Sequence, residues 1–375
     1  MNRLKFLINN IFYLIGFYGT SLFRGKADKI PESISNILVV QSAKLGDMVC
    51  TTPVFRAIKE KYPTSKLTVS CSAINIEVLR GNKNIDNFID IGRLSVKKIK
   101  QNHFDVAFNL NFNFYVSVKL FMANITLIVI PKMEKGNSPF VTKSYKKIIK
   151  YFRILGRSIG AHAPQEMLNF LNFIGIKSTN TKKELFFTKE ANKKIESMFK
   201  DKEFKYVGIS LTAGNKIKEW PIDRFVEVAD YILEKYKTKV VLIGGPNDKE
   251  YSGKFLSTLK EGNKENTIDT TGDLSIDELK ALISKLDLYI AVDTGPIYIA
   301  EAFDVPTIDI IGPMDEREQP PVSDNNIVLY ERGRKESVLH ILNARDYDEK
   351  EARRQVEAVS VEMVIDAVDT LLPSL

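Results

Sequence analysis

The sequence predicts an α/β protein built from two parallel-sheet units in series. Three observations carry that prediction. Short apolar, β-branched runs alternate with stretches of helical periodicity, which is the pattern of a parallel sheet with helical crossovers. Glycine-containing turns follow several of these runs. Beyond residue 183 the whole pattern restarts, so a ligand is expected in a cleft between two such units, at the carboxyl ends of their strands.

Taken in order, residues 1–23 come first. The run 11–18 is apolar all round, preceded by Asn9 and Asn10 and flanked by Arg3, Lys5, Arg24, Lys26 and Lys29. It is short for a bilayer span and lacks a small-residue cleavage site. A basic, aromatic-rich segment of this kind fits a helix lying among lipid headgroups; a core-packing helix is the alternative. No later stretch reads as a span, although 120–130 is apolar enough for a fully buried strand or helix.

Residues 37–41 (Ile-Leu-Val-Val-Gln) read as a buried strand. The loop Ser42 to Asp47 follows, and Thr51-Thr52-Pro53 opens a helix with proline near its first turn. Further strands are expected at 67–71, 89–91 and 106–110. Residues 142–157 are basic with interleaved aromatics. Nucleic-acid binding is one reading; a solvated amphipathic face with Ile148, Ile149, Phe152 and Leu155 inward is favoured over it. A helix at 164–173 and a polar connection at 175–183 close the first half.

The second half repeats the scheme. A strand at 206–210 runs into the loop Leu211-Thr212-Ala213-Gly214-Asn215, and Trp220-Pro221 opens a helix reaching about 236. A strand at 239–243 ends in Gly244-Gly245-Pro246-Asn247-Asp248. Ser275 caps a helix over 276–286, with Asp277 and Glu278 in its first turn. The strand 288–292 then stops at Asp293-Thr294-Gly295-Pro296, where Thr294 can cap a new helix and Pro296 suits its first position. Free backbone N–H groups and the positive end of the helix dipole meet at that turn, which suits an anion. The strand at 307–311 is the last clear one before Gly312-Pro313.

Composition narrows the function. A chain of 375 residues, 44% hydrophobic and 27% charged, supports two domains with real cores and argues against wholesale disorder. Cys50 and Cys71 form no disulfide framework or metal cluster and suit a reducing compartment. Three scattered histidines argue against a His-based metal centre. Residues 1–150 carry 23 Lys+Arg against 9 Asp+Glu, whereas the remainder carries 31 against 38. A basic front half points to an acidic partner, unless the lysine enrichment reflects genome composition.

Four motifs now stand in order: Leu45-Gly46-Asp47 with Thr51-Thr52-Pro53; Lys218-Glu219-Trp220-Pro221 with Arg224-Phe225; Gly244-Gly245-Pro246; and Asp293-Thr294-Gly295-Pro296. Together they resemble glycosyltransferase family 9, the bacterial lipopolysaccharide heptosyltransferases, over about residues 37–313. The resemblance implies a GT-B architecture of two Rossmann-like doubly wound domains facing across a cleft. The expected division is a surface segment over 1–30, an acceptor domain over 31–180, a nucleotide-sugar domain over 181–345 and a helical segment over 346–375. It further implies an inverting transfer of heptose or a related sugar, without metal or other cofactor, from a nucleotide-diphosphate donor, typically ADP-heptose. The implied acceptor is a lipid-anchored inner-core oligosaccharide at the anionic inner face of the cytoplasmic membrane. No nucleic-acid partner is expected.

An inverting displacement needs a base on the attacking hydroxyl and charge stabilisation at the leaving diphosphate. Asp47, in the loop after the first strand, is the expected base, with a helix N-cap as its alternative role. Lys218 matches the family cation that meets the donor phosphates, Trp220 is expected to be a packing anchor, and Asp293 fixes the turn or a sugar hydroxyl. Thr294, Gly295 and Pro296 complete the phosphate and sugar turn. By the same resemblance Thr212, Ala213 and Gly214 line the nucleotide, Asp248 meets the ribose and Leu274 lies near the base. The sequence departs from the family where Tyr298 replaces a common histidine, where Ala43-Lys44 replaces Ser-Ser, and where Thr212 replaces proline. Two other classes compete. An NAD-dependent oxidoreductase is disfavoured, because no Gly-x-Gly-x-x-Gly follows the first strand. A non-catalytic nucleotide-sugar or glycan binder is disfavoured by the joint presence of Asp47 and Lys218.

Overall fold

The computed structural model describes residues 3–320, 323, 325–334 and 336–372, with side chains from residue 7 onward. Its first sheet contains β1 (Asn36–Val40), β2 (Lys66–Cys71), β3 (Asn87–Asp90), β4 (Val106–Asn109), β5 (Leu127–Lys135) and β6 (Arg153–Ser158). All pairings are parallel, in the order β3-β2-β1-β4-β5-β6. The second sheet contains β7 (Lys205–Ser210), β8 (Thr238–Leu242), β9 (Thr267–Asp269), β10 (Leu288–Val292), β11 (Thr307–Ile310) and β12 (Asn326–Leu329). It too is wholly parallel, in the order β12-β11-β10-β7-β8-β9. Read from β9, that is the order of the first sheet. The central strands β1 and β10 are apolar runs buried on both faces, as helix-covered parallel strands must be.

Four strands depart from the sequence reading. The run 120–130 is neither one strand nor one helix. The helix Phe114–Met122 ends there, Asn124 turns the chain at positive φ, and β5 begins at Leu127. The amphipathic stretch 142–157 is helical only from Lys143 to Ile148. A 3-10 turn, Ile149–Tyr151, then leads into β6. Ile148 and Phe152 do face inward, but Leu155 lies in β6, opposite Pro131. Ladder bonds along β5 outweigh the helical spacing here. The edge strands β9 and β12 were too short and too little buried to stand out.

The described residues divide into two compact units. The first is 1–44, 51–76 and 82–181; the second is 45–50, 77–81 and 182–375. The sequence reading made 31–180 one continuous domain, whereas two of its short pieces belong to the second unit. The reason is packing: Val49, Cys50 and Val78 are buried in one apolar cluster with Tyr289, Ile297 and Ile299. Lys280, itself buried, donates from Nζ to the carbonyl oxygens of Glu77 (3.2 Å), Val78 (3.2 Å) and Arg80 (3.4 Å). Asp277 balances its charge at 3.1 Å. A lysine placed over the last carbonyls of a helix satisfies acceptors that the helix itself cannot. The closing helix, Val361–Leu371, packs in the second unit, where Asp369 accepts bonds from Tyr231, Lys235 and Tyr236.

Helix α1 (Arg3–Ser21) packs on the first unit through one face. Phe17 is fully buried and stacks on Phe121 with centroids 4.3 Å apart, while Tyr13 meets Tyr115 edge-on at 5.1 Å. Arg24, expected beside lipid, instead donates to the carbonyls of Phe121 (2.5 Å) and Ile125 (2.7 Å). The side chains of Arg3 and Lys5, and all of Met1, lie outside the described residues, as do 373–375 of the closing segment. Among the described residues no helix is long and apolar enough to cross a membrane.

Candidate active site

The buried strand β10 delivers Asp293 to the rim of its sheet, and the helix Gly295–Ala302 starts two residues later. Thr294 occupies the N-cap position in an extended conformation, but its hydroxyl makes no capping bond, contrary to expectation; Pro296 does sit in the first turn. Asp293 is nonetheless tightly held. Its carboxylate accepts from Tyr298 Oη at 2.5 Å and from Lys218 Nζ at 2.8 Å, and its backbone carbonyl also accepts from Lys218.

Lys218 reaches this point from the 3-10 turn Lys216–Lys218. Asn215 opens that turn by accepting from Ile217 N, and Trp220 anchors its far side, buried, with Nε1 donating to Val359 O at 2.8 Å. The lysine is therefore a nearly buried partner of Asp293, with both ends of the pair largely hidden from solvent. It is not a solvated member of a lysine-rich loop.

Two further groups deepen this polar cluster. Asp309, paired across the ladder with Ala291, is buried and its Oδ1 has no hydrogen-bond partner. Burial first, and the nearby Asp293 second, hold its carboxyl well above the usual carboxylate range. Beneath the helix, Lys183 and Glu301 form a buried ion pair at 2.7 Å, with Lys183 5.7 Å from the centre of the Tyr298 ring. Burial and Asp293 likewise keep the Tyr298 phenol protonated.

The motif containing Asp47 docks on this turn. Helix α2 (Leu45–Val49) carries Asp47 in its first turn, so the aspartate is not an N-cap. A Cβ on Gly46 would stand 2.9 Å from the Tyr298 ring, and one on Gly295 would stand 2.7 Å from Leu45 and 3.3 Å from Gly46 N. Both motifs need glycine because their backbones meet here. Asp47 is half-buried, and Gln319 Nε2 approaches its Oδ1 at 3.4 Å.

Beside the turn lies a pocket of about 370 Å³. Thr212, Ala213 and Gly214 form one wall, Gly244 to Asp248 a second, Leu274 a third, and Thr294 and Pro296 close it. All five residues expected at the nucleotide thus line one pocket with two of the phosphate turn. Asp248 also closes its own loop, Oδ2 accepting from Gly245 N at 2.7 Å. Among the described residues no group of three or more His, Cys, Asp or Glu side chains is placed to hold a metal ion. Sequence reasoning missed Asp309, the Lys183–Glu301 pair and Gln319. The first had a signal, a lone acid inside the apolar strand Thr-Ile-Asp-Ile; Gln319 had none.

Two parallel α/β units, with a glycine-lined pocket opening at an anion-ready turn, make this a GT-B-class protein. The chain belongs to glycosyltransferase family 9 (heptosyltransferase), whose family model matches residues 93–343. Lipopolysaccharide heptosyltransferase 3 of Escherichia coli is 25% identical over 352 residues, covering 88% of this chain and 97% of its own. The lipopolysaccharide core heptosyltransferase OpsX of Haemophilus influenzae is 23% identical over 310 residues, covering 80% and 86%. Among solved structures, a family 9 glycosyl transferase of Veillonella parvula aligns with a TM-score of 0.73 at 22% identity, covering 92% of this chain and all of that one. Escherichia coli ADP-heptose lps heptosyltransferase II aligns with a TM-score of 0.72 at 17% identity, covering 90% and 99%. These two likenesses bear on fold.

Proposed function

We propose that this protein is an inverting, metal-independent heptosyltransferase that moves heptose from ADP-heptose to the inner core of lipopolysaccharide or lipooligosaccharide. It would work at the inner face of the cytoplasmic membrane. The observation that carries the reading is the docking of Gly46 on Gly295. That contact sets Asp47 beside a turn whose other side closes a nucleotide-sized pocket.

In this reading Asp47 takes the proton of the acceptor hydroxyl as its oxygen attacks the anomeric carbon. The bond from that carbon to the diphosphate breaks on the opposite face, and its electron pair leaves with the phosphate oxygen. Lys218 and the backbone N–H groups at the start of the helix Gly295–Ala302 offset the charge that develops there. The neutral Asp309 matters for the same reason: a second carboxylate beside Asp293 would repel the incoming diphosphate. The protonated Tyr298 holds Asp293, so that the cation and the turn stay in register.

A relative using another nucleotide sugar is the second reading, favoured by Tyr298 where many relatives carry histidine. The test offers purified full-length protein ADP-heptose and a panel of other nucleotide sugars, with a delipidated inner-core acceptor and excess EDTA. Product from ADP-heptose alone, undiminished by EDTA, is expected. Product from another donor only would move the protein to the second reading, and loss in EDTA with rescue by Mg²⁺ would reject the metal-free mechanism.

A further inference from the structure

Helix α1 has two apolar faces, of which packing on the first unit uses one. The other is a stripe at helical spacing: Ile8, Ile11, Phe12 and Ile15, continued beyond the helix by Leu22 and Phe23. Phe12 is 72% exposed, Leu22 82% and Phe23 92%. No acidic residue occurs between positions 7 and 23. A continuous exposed apolar stripe is uncommon on a soluble surface and marks a binding face.

Next to this stripe is a pocket of about 390 Å³ in the first unit. Phe12, Tyr13, Val96 and Met122 supply its apolar wall, while Arg93 and Lys119 stand in its lining. Arg93 is exposed at the end of the 3-10 turn Ile91–Arg93, and Lys119 is half-buried with Nζ donating to Leu94 O at 2.9 Å. The pocket thus joins an apolar floor, continuous with the stripe, to two cations. That pairing matches one occupant: a lipid with an anionic headgroup, its phosphoryl group against the cations and its acyl chain along Phe12. Lys26 and Lys29, a few positions after Leu22 and Phe23, are also exposed, so positive charge stands beside Phe12 and again just past the end of the stripe, as on membrane-surface helices.

We propose that the pocket lined by Phe12, Arg93 and Lys119 is a binding site for one anionic phospholipid of the bilayer leaflet. It positions α1 on that surface. The proposal rests on the membrane-surface part of the reading above and adds a discrete lipid site to it.

The test uses the delipidated full chain in two assays. In the first, dihexanoyl-phosphatidylglycerol below its micelle concentration, dihexanoyl-phosphatidylcholine and inorganic phosphate are compared by thermal unfolding. Only the phosphatidylglycerol should raise the melting temperature. Arg93→Glu should weaken that binding about fivefold or more, the effect of one basic residue at a lipid phosphate. Lys26→Glu makes the same change of charge away from the pocket and should leave the binding intact. In the second assay, sedimentation with vesicles of phosphatidylcholine and phosphatidylglycerol, Phe12→Asp should release the protein.

Equal losses from Arg93→Glu and Lys26→Glu, with vesicle binding intact, would overturn the pocket and leave a diffuse membrane surface. An equal shift with inorganic phosphate would overturn the lipid assignment. If wild-type protein fails to sediment with vesicles, the membrane reading falls with it. If it instead self-associates in solution, and Phe12→Asp makes it monomeric, the occupant is a second copy and the proposal is wrong.

Discussion

The two sheets share one strand order, and the chemistry at their carboxyl-terminal rims differs. In the first unit, the strand ends flanking the reversal of order carry amides. Gln41 donates to Thr51 Oγ1 at 2.9 Å, Asn109 donates to Ser117 Oγ at 3.0 Å, and Asn111 accepts from the backbone and hydroxyl of Ser42 at 2.6 and 3.0 Å. In the second unit, the matching ends carry Ser210 and Asp293, the latter tied to Lys218. Gln41 and Asn109 are fully buried, so their amides fix the loops of the first rim and leave half-buried Asn111 nearest to solvent, whereas the second rim carries charge beside the start of a helix. One fold, used twice, thus carries different chemistry on its two sets of loops.

The comparison breaks most visibly at Asp47. Asp47→Asn should keep donor affinity, measured by calorimetry, and lower the transfer rate by roughly 10²–10⁴-fold; near-normal turnover would place the base elsewhere. Lys218→Ala should come next. It should weaken binding of a nucleoside diphosphate by about 10–100-fold, the worth of one charge-assisted bond, and leave the bare nucleoside nearly unaffected. Equal losses for both ligands would deny the charged rim its phosphate. Asn111→Ala tests the other rim: the acceptor KM should rise about fivefold, as for one neutral hydrogen bond, while the donor KM stays put. A donor effect there would erase the division between the rims.

The smallest effect concerns Asp309. In the unfolded chain its carboxyl ionises near its ordinary value of about 3.9, whereas in the folded chain burial and Asp293 keep it protonated to much higher pH. Between those two values the folded state binds the extra proton, so this group makes stability fall as pH rises. Asp309→Asn removes that slope. Its melting temperature should match wild type near about pH 4 and exceed it by about 2–4 °C at neutral pH. A neutral-pH loss would mean that the carboxyl is ionised in the folded protein.

How much of this was legible follows from range. Strands β1, β7 and β10 were readable because full burial writes itself as an unbroken apolar run. The Asp293-Thr294-Gly295-Pro296 turn was readable because glycine and proline have narrow backbone uses. The ion pair of Lys218 with Asp293 spans 75 positions, and the approach of Gln319 to Asp47 spans 272; no periodicity encodes either. Arg24 and Leu155 were misread for a related cause. A cation near an apolar run looks lipid-facing until Phe121 and Ile125 present it with carbonyls, and helical spacing in β6 yields to a neighbouring strand.

The capping of Glu77, Val78 and Arg80 by Lys280 bears on how this polypeptide can be cut. A fragment beginning at Lys182 would hold the whole second sheet yet lack Val49, Cys50 and Val78, which fill part of its interior. Its buried ammonium would lose three acceptors and keep Asp277 alone. The second half therefore depends on residues the ribosome made more than a hundred positions earlier, and dissecting the gene at 181/182 would leave that half with an unfilled core.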